Sequence, residues 1–193
     1  MTLRRIPFFP TLLVLLAAGV MIRLGFWQLD RLHQKEGLLH LYSENARYSS
    51  EVEIPADKAA RERAWFRHTT FECIANGDTQ PRAGHDSKGQ SGWAQWGQCR
   101  RADGLPVEVN IGWSQAPAPI HYSGGPVSGF IAPDGQQGAR VVAGQPVEGL
   151  QASAAPDPNA IPNNHLSYAV QWFLFAATAL VIYALALRKR LAS

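Results

Sequence analysis

A run of 22 residues without a charge, Leu166–Leu187, constrains this chain more than any other feature. As a helix rising about 1.5 Å per residue it is about 33 Å long, enough to cross a hydrocarbon core of about 30 Å. A lone segment in lipid satisfies its backbone only as a helix. Arg188, Lys189 and Arg190 follow at once and mark that end as cytoplasmic. At the opposite end stands His165, behind Pro162, Asn163 and Asn164. Tyr168 and Trp172 lie one and two turns further on, on the same helix face.

A second apolar run, Ile6–Ile22, follows a short basic start at Met1–Arg5. It reaches spanning length when Leu24–Trp27 is included and Arg23 snorkels to the surface. A cleaved signal peptide has the same basic start and apolar centre. No small-x-small cleavage site follows, however, and RLGFWQLDRLHQKEGLLHLY continues as a helix, so the run reads as an uncleaved anchor. Positive charge at both ends places both termini in the cytoplasm and the middle on the far side. The expected divisions are a cytoplasmic N-terminus at 1–5, spans at 6–28 and 165–187, a β-rich domain at 29–164 and a cytoplasmic C-terminus at 188–193. Only five residues precede the first apolar run, which leaves no room for a transit peptide and favours a bacterial inner membrane with the middle domain in the periplasm.

Charge agrees with that division. All 15 acidic residues fall between Asp30 and Asp157, against 12 basic ones, and the remaining basic residues sit beside the two apolar runs. The basic balance therefore belongs to the membrane ends and is no nucleic-acid footprint.

In the middle, Gln28 to about Tyr42 is rich in helix formers and reads as a helix that leaves the membrane for a turn or two and then frays. Ala56–Ala64 reads as a short surface helix. Strands are expected at Trp65–Ile74, Gly92–Arg101, Leu105–Trp113, Val127–Ala132 and Arg140–Ala143. Asn76-Gly77-Asp78, Asp103-Gly104 and Pro133-Asp134-Gly135 read as turns, and Gly124-Gly125 as a turn signal. Pro81–Gly92 reads as a polar loop and Gln151–Pro162 as an extended linker. The alternation from Leu105 to Trp113 predicts a half-buried strand. The fold class is thus two transmembrane helices flanking a small antiparallel β-rich extracytoplasmic domain, a sheet or partly open barrel of five or more strands.

Catalytic motifs are missing: there is no GxSxG, HExxH or P-loop, and no carboxylate pair stands out as an acid–base couple. The sequence reads as a non-enzyme. Cys73 and Cys99 are too far apart for a CxxC site, and whether they pair or remain separate buried thiols stays open. With 2 Met in the chain and no Cys pair in ligand spacing, copper delivery is disfavoured. His33, His40, His68, His85 and His121 show no metal-ligand spacing and read as ordinary surface or hydrogen-bonded residues. His165 differs by its place. The dipole at a helix N-terminus adds nothing to a charged imidazole, and a neutral ring carries a lone pair for a metal or haem iron. On physical grounds alone an interfacial histidine with aromatic-belt neighbours is the first reading and a ligand the second.

Two motifs carry a family resemblance. Leu24-Gly25-Phe26-Trp27-Gln28-Leu29 is similar to the LGxWQ signature of the surfeit-locus cytochrome c oxidase assembly family. Asn164-His165-Leu166-Ser167-Tyr168-Ala169 with Gln171-Trp172-Phe173 resembles that family's NHLxYAxQWF signature. Gly112-Trp113 stands where the family has its strand-borne Gly-Trp, with Ile111 in place of the usual Arg and Ser114 in place of Val-Pro. The resemblance implies an assembly factor that binds haem a and aids its insertion into the oxidase catalytic subunit. It implies His165 as axial ligand to the haem iron, with Tyr168, Trp172 and Trp27 as pocket walls and Arg23 either meeting a propionate or anchoring at the interface. The implied partners are the catalytic subunit, the haem a synthesis enzyme and the lipid bilayer. The alternative is a structural assembly factor that carries no haem.

Overall fold

The computed structural model describes residues 7–135 and 138–192. The expected cytoplasmic start at 1–5 and the final Ser193 lie outside the described residues. The chain divides into two compact units. One comprises Met1–Gly37 with Pro162–Ser193, and the other is Leu38–Ile161.

The first unit is a pair of antiparallel helices. Helix α1 runs from Phe8 to Asn45 without a break, its last turns belonging to the second unit. The helix expected from Gln28 to about Tyr42 is continuous with the first apolar run and does not fray after a turn or two. The stretch holds no proline after Pro10, and its Leu, Gln, Lys and Glu residues all favour helix. The partner helix, His165–Ala192, is called α4 here. Thr11 near the start of α1 shares a short hydrogen bond with Tyr183 near the end of α4, and Gln28 meets His165 at the other end. The buried positions between these contacts are small: Ala18 and Gly25 on α1, Ala169 and Ala176 on α4. Their spacing of seven puts each pair on one seam, and small residues are what closely packed membrane helices place there. Any Cβ on Gly25 would sit 2.6 Å from the Phe173 ring. Large apolar side chains such as Leu13, Leu16, Leu174 and Ile182 face outward, as in a lipid-exposed surface. Among the described residues, two helices are thus long and apolar enough to span a bilayer.

The second unit is a closed β-barrel preceded by a short helix. Helix α2, Lys58–Arg63, is capped by the Asp57 carboxylate, which accepts from the Ala60 N–H at 2.8 Å. It is less of a surface helix than expected. Arg61 is buried and donates to both Asp134 oxygens and to the carbonyls of Pro55 and Ala56. The end of α1 is held by Asn45, whose buried amide donates to the carbonyls of Arg63 and Trp65. Tyr42 packs on Trp65 and Phe66.

Six strands follow: β1 His68–Asp78, β2 Gln80–His85, β3 Ser91–Arg100, β4 Pro106–Ser114, β5 His121–Gly135 and β6 Gly138–Ala143. Their order is β1-β5-β6-β4-β3-β2, and β3 returns to β1 through Ile74 and Arg100, closing the ring. Strand β2 continues β1 past Thr79 and pairs with the first half of β3. Taken together, β1 and β2 form one bent strand shared between β5 and β3, the connectivity of an OB-type Greek-key barrel. The sheet is mixed, a correction to the purely antiparallel expectation: β4 and β6 run parallel. The hairpin from β5 inserts β6 beside β4, and β4 already has its antiparallel partner in β3.

Several predicted turns and one predicted loop are strand. Pro81–His85, expected in a polar loop, is most of β2. Asn76-Gly77-Asp78 lies in β1, where the register shifts between Ile74 and Gly77. Gly124-Gly125 lies in β5 opposite Ile74 and Cys73. Gly124 has φ +83°, and a Cβ there would meet the Cys73 carbonyl oxygen at 2.3 Å. Pro133-Asp134-Gly135 ends β5 instead of leaving it. Strand β4 is buried on both faces, with Val107, Val109 and Ile111 in the core and Glu108 and Asn110 covered outside it. The linker does part of that covering: Gln151 pairs with Trp113, and Ser153 donates to the Asn110 side-chain oxygen at 2.9 Å. A disulfide joins Cys73 on β1 to Cys99 on β3, beside the strand pair that closes the barrel. Asp157 caps a 3-10 turn, Pro158–Ala160, which is helix α3 in chain order.

Candidate functional site

His165 is the first residue of α4, and the Asn164 carbonyl accepts the first-turn N–H of Tyr168 at 3.2 Å. Pro162 keeps Ile161 extended, because the residue before a proline is disfavoured in the helical region. The imidazole is half-buried. Its Nδ1 lies 2.7 Å from Oε1 of Gln28, on the neighbouring helix of the same unit. An amide oxygen only accepts, so Nδ1 donates, and in the neutral ring the lone pair then sits on Nε2. Nε2 makes no hydrogen bond among the described residues. A neutral imidazole with Nδ1–H held by an oxygen and Nε2 open is the arrangement metal-bound histidines adopt. The nitrogen left open is thus one that a metal ion can take. Two residues earlier, the Asn163 side-chain oxygen is buried without a hydrogen-bond partner.

The other predicted site residues are placed less uniformly. Trp172 is half-buried, two turns along α4 from His165, and meets Phe175 edge-on at 6.2 Å. Tyr168 is 50% exposed, so its ring is an open flank of the His165 face. Trp27 is 42% exposed and lies under the Arg31 guanidinium, 5.6 Å from its ring centre. It is the adjacent Gln28 that the structure brings to His165. Arg23 is exposed and makes no ion pair among the described residues; it borders a shallow apolar groove with Leu16, Gly19 and Val20. Sequence reading missed Gln28, although it ends the LGxWQ motif. The available signal was an amide at the end of the first apolar run, midway along α1.

A second polar cluster stands on the outside of the barrel. Glu108 of β4 is 3% exposed and accepts from Arg82 of β2, Arg140 of β6 and Gln98 of β3. Both guanidiniums lie over Trp96 of β3, at 5.5 and 4.7 Å from its ring. The hydrogen bonds from Arg82, then those from Arg140 and Gln98, outweigh burial and hold the Glu108 carboxyl down at about 2. This cluster neutralises a buried carboxylate and offers no acid–base couple. Among the described residues no group of three or more His, Cys, Asp or Glu side chains is placed to hold a metal ion. Cys73 and Cys99, being joined, are not free thiols.

Two antiparallel helices of spanning length, one OB-type barrel and an imidazole–amide pair at the head of the second helix define a membrane-associated protein with a ligand-capable histidine. No individual curated protein matches the sequence. The SURF1 family model matches residues 15–177, which include α1 from its third turn, the whole barrel and the first half of α4. The chain belongs to the SURF1 family, which is associated with cytochrome c oxidase assembly.

Proposed function

We propose that this protein holds haem a at His165 and aids its insertion into the catalytic subunit of cytochrome c oxidase, with no catalytic turnover of its own. The observation that carries this reading is the His165–Gln28 contact, which leaves Nε2 unengaged at the head of a membrane-length helix. His165 would hold haem a through Nε2, and the haem would supply an iron that an imidazole nitrogen can ligate. The chain's part is to present that nitrogen. Gln28 keeps the proton on the far side of the ring, and the α4 backbone fixes where the ring starts. Tyr168 and Trp172 supply apolar, aromatic surface on the same helix face for a flat macrocycle. The half-exposed Tyr168 leaves that flank open, as a carrier that must release its cargo requires.

The localisation that accompanies this reading is a bacterial inner membrane with the barrel in the periplasm and both termini in the cytoplasm. The Cys73–Cys99 disulfide supports an oxidising compartment for the barrel. Arg188, Lys189 and Arg190 support a cytoplasmic end for α4. The haem a synthesis enzyme is the proposed donor.

The test is the absorption spectrum of detergent-purified full-length protein co-expressed with the haem a synthesis enzymes, for wild type and His165→Ala. A Soret band in the wild type that is lost in a folded His165→Ala protein supports the reading. No band in either protein refutes it, and leaves a structural assembly factor that carries no haem.

A further inference from the structure

We infer that Gln28 is a positioning residue for His165, selecting the ring tautomer and orientation that leave Nε2 free to bind a metal. The value of this arrangement for haem rests on the proposed function, whereas the tautomer itself does not.

The inference starts from which atoms can donate. Gln28 presents its amide oxygen to Nδ1 at 2.7 Å, and that oxygen has no proton to give. A neutral ring facing that oxygen carries its proton on Nδ1. A histidine side chain in water favours the other tautomer, with the proton on Nε2, where it occupies the lone pair an iron needs. Gln28 reverses that preference. It also fixes the ring about its side-chain bond, since rotation breaks the contact.

The contact is not a local one. It joins residues 137 apart in sequence and links the two helices of one unit. Three residues before Gln28, on the same side of α1, Gly25 accepts the Phe173 ring against its backbone. Phe173 lies two turns beyond His165 on α4. The glycine and the glutamine of the LGxWQ stretch therefore meet the partner helix at successive turns. Trp27, between them, faces Arg31 instead. This gives Gln28 a role that neither an anchoring residue nor a pocket wall would have. In metal sites the second-shell acceptor for a histidine N–H sets ligand basicity and ring orientation, and its loss weakens metal affinity by roughly 10- to 100-fold.

The experiment uses full-length protein in detergent micelles, labelled with 15N-histidine and free of haem. Ring nitrogen–proton correlation spectra report which nitrogen is protonated, and His165→Ala identifies the His165 signals by their loss. The expected result is Nδ1–H in the wild type, retention in Gln28→Glu, and a shift to Nε2–H in Gln28→Leu. Circular dichroism checks that each variant is folded, and Gln28→Glu keeps the inference testable if the leucine variant fails to fold.

The same proteins are then loaded with haem a by co-expression. Gln28→Leu is expected to hold haem roughly 10- to 100-fold more weakly. Gln28→Glu is expected to keep haem and to lower its midpoint potential, because a carboxylate makes the imidazole a stronger donor. A wild-type ring protonated on Nε2 overturns the inference, as does a Gln28→Leu protein with unchanged tautomer and unchanged affinity. If the tautomer behaves as expected while the wild type takes up no haem, the positioning stands and the haem-carrier reading falls.

Discussion

The Glu108 cluster allows a prediction whose size and pH dependence both follow from geometry. The carboxylate is almost wholly buried and receives two arginines and a glutamine at 2.9 to 3.2 Å. Its carboxyl is lowered from an ordinary 4.5 to about 2. At 1.36 kcal/mol per unit, that difference corresponds to about 3 kcal/mol of stability. A lowered folded value means the contribution is full above pH 4.5 and is lost as pH falls through about 2. Glu108→Gln keeps the shape, removes the charge and leaves two guanidiniums without their anion. Urea unfolding of the full-length protein in detergent, followed by tryptophan fluorescence, measures the effect; Trp96, beneath both arginines, is a reporter within the cluster. The wild type is expected to exceed Glu108→Gln by about 3 kcal/mol at pH 7, with the gap closing as pH approaches 2. A gap that stays constant from pH 7 to pH 2 would refute the reasoning, because it would place the loss in shape or packing and not in charge.

The remaining predictions concern the same unit. Asp134→Ala removes the partner of buried Arg61, whose side chain is 7% exposed, and is expected to destabilise by about 3 to 5 kcal/mol. Arg47→Ala, which breaks the exposed pair with Glu44, is expected to change stability by less than about 1 kcal/mol; equal effects in the two variants would contradict the burial argument. Replacing both Cys73 and Cys99 by Ala opens a loop of sequence separation 26 and is expected to lower stability by about 3 to 4 kcal/mol. Urea midpoints with and without reductant check this, since reductant should weaken the wild type and leave the double variant unmoved.

The glycine, proline and asparagine signals show where sequence reading went astray. Asn76-Gly77, Pro81 and Gly124-Gly125 are turn formers by local chemistry. Here they accommodate a long bent strand that changes partner from β5 to β3, so the chain bends without reversing. Glu108 was legible as the outward position of a strand, but its burial depends on arginines from β2 and β6, which lie 26 and 32 residues away. The candidate site was partly legible. His165 stood out by its position, and Tyr168 and Trp172 by helical spacing. Gln28 did not, because a neutral side chain at a membrane boundary has no partner visible in one dimension.

The sequence by itself determined the two long apolar helices, since lipid demands a long, predominantly apolar run and leaves the backbone of a lone segment one way to satisfy its hydrogen bonds. It also determined that strands lie between them, and it carried the family motifs at both ends. The tertiary structure alone decided the parallel pairing of β4 with β6, the closure of the barrel, the joining of Cys73 to Cys99 and the contact of Gln28 with His165. Each of these brings together residues distant along the chain. Local propensity is set by neighbours a few positions away and says nothing about such pairs, whose formation depends on how whole elements pack.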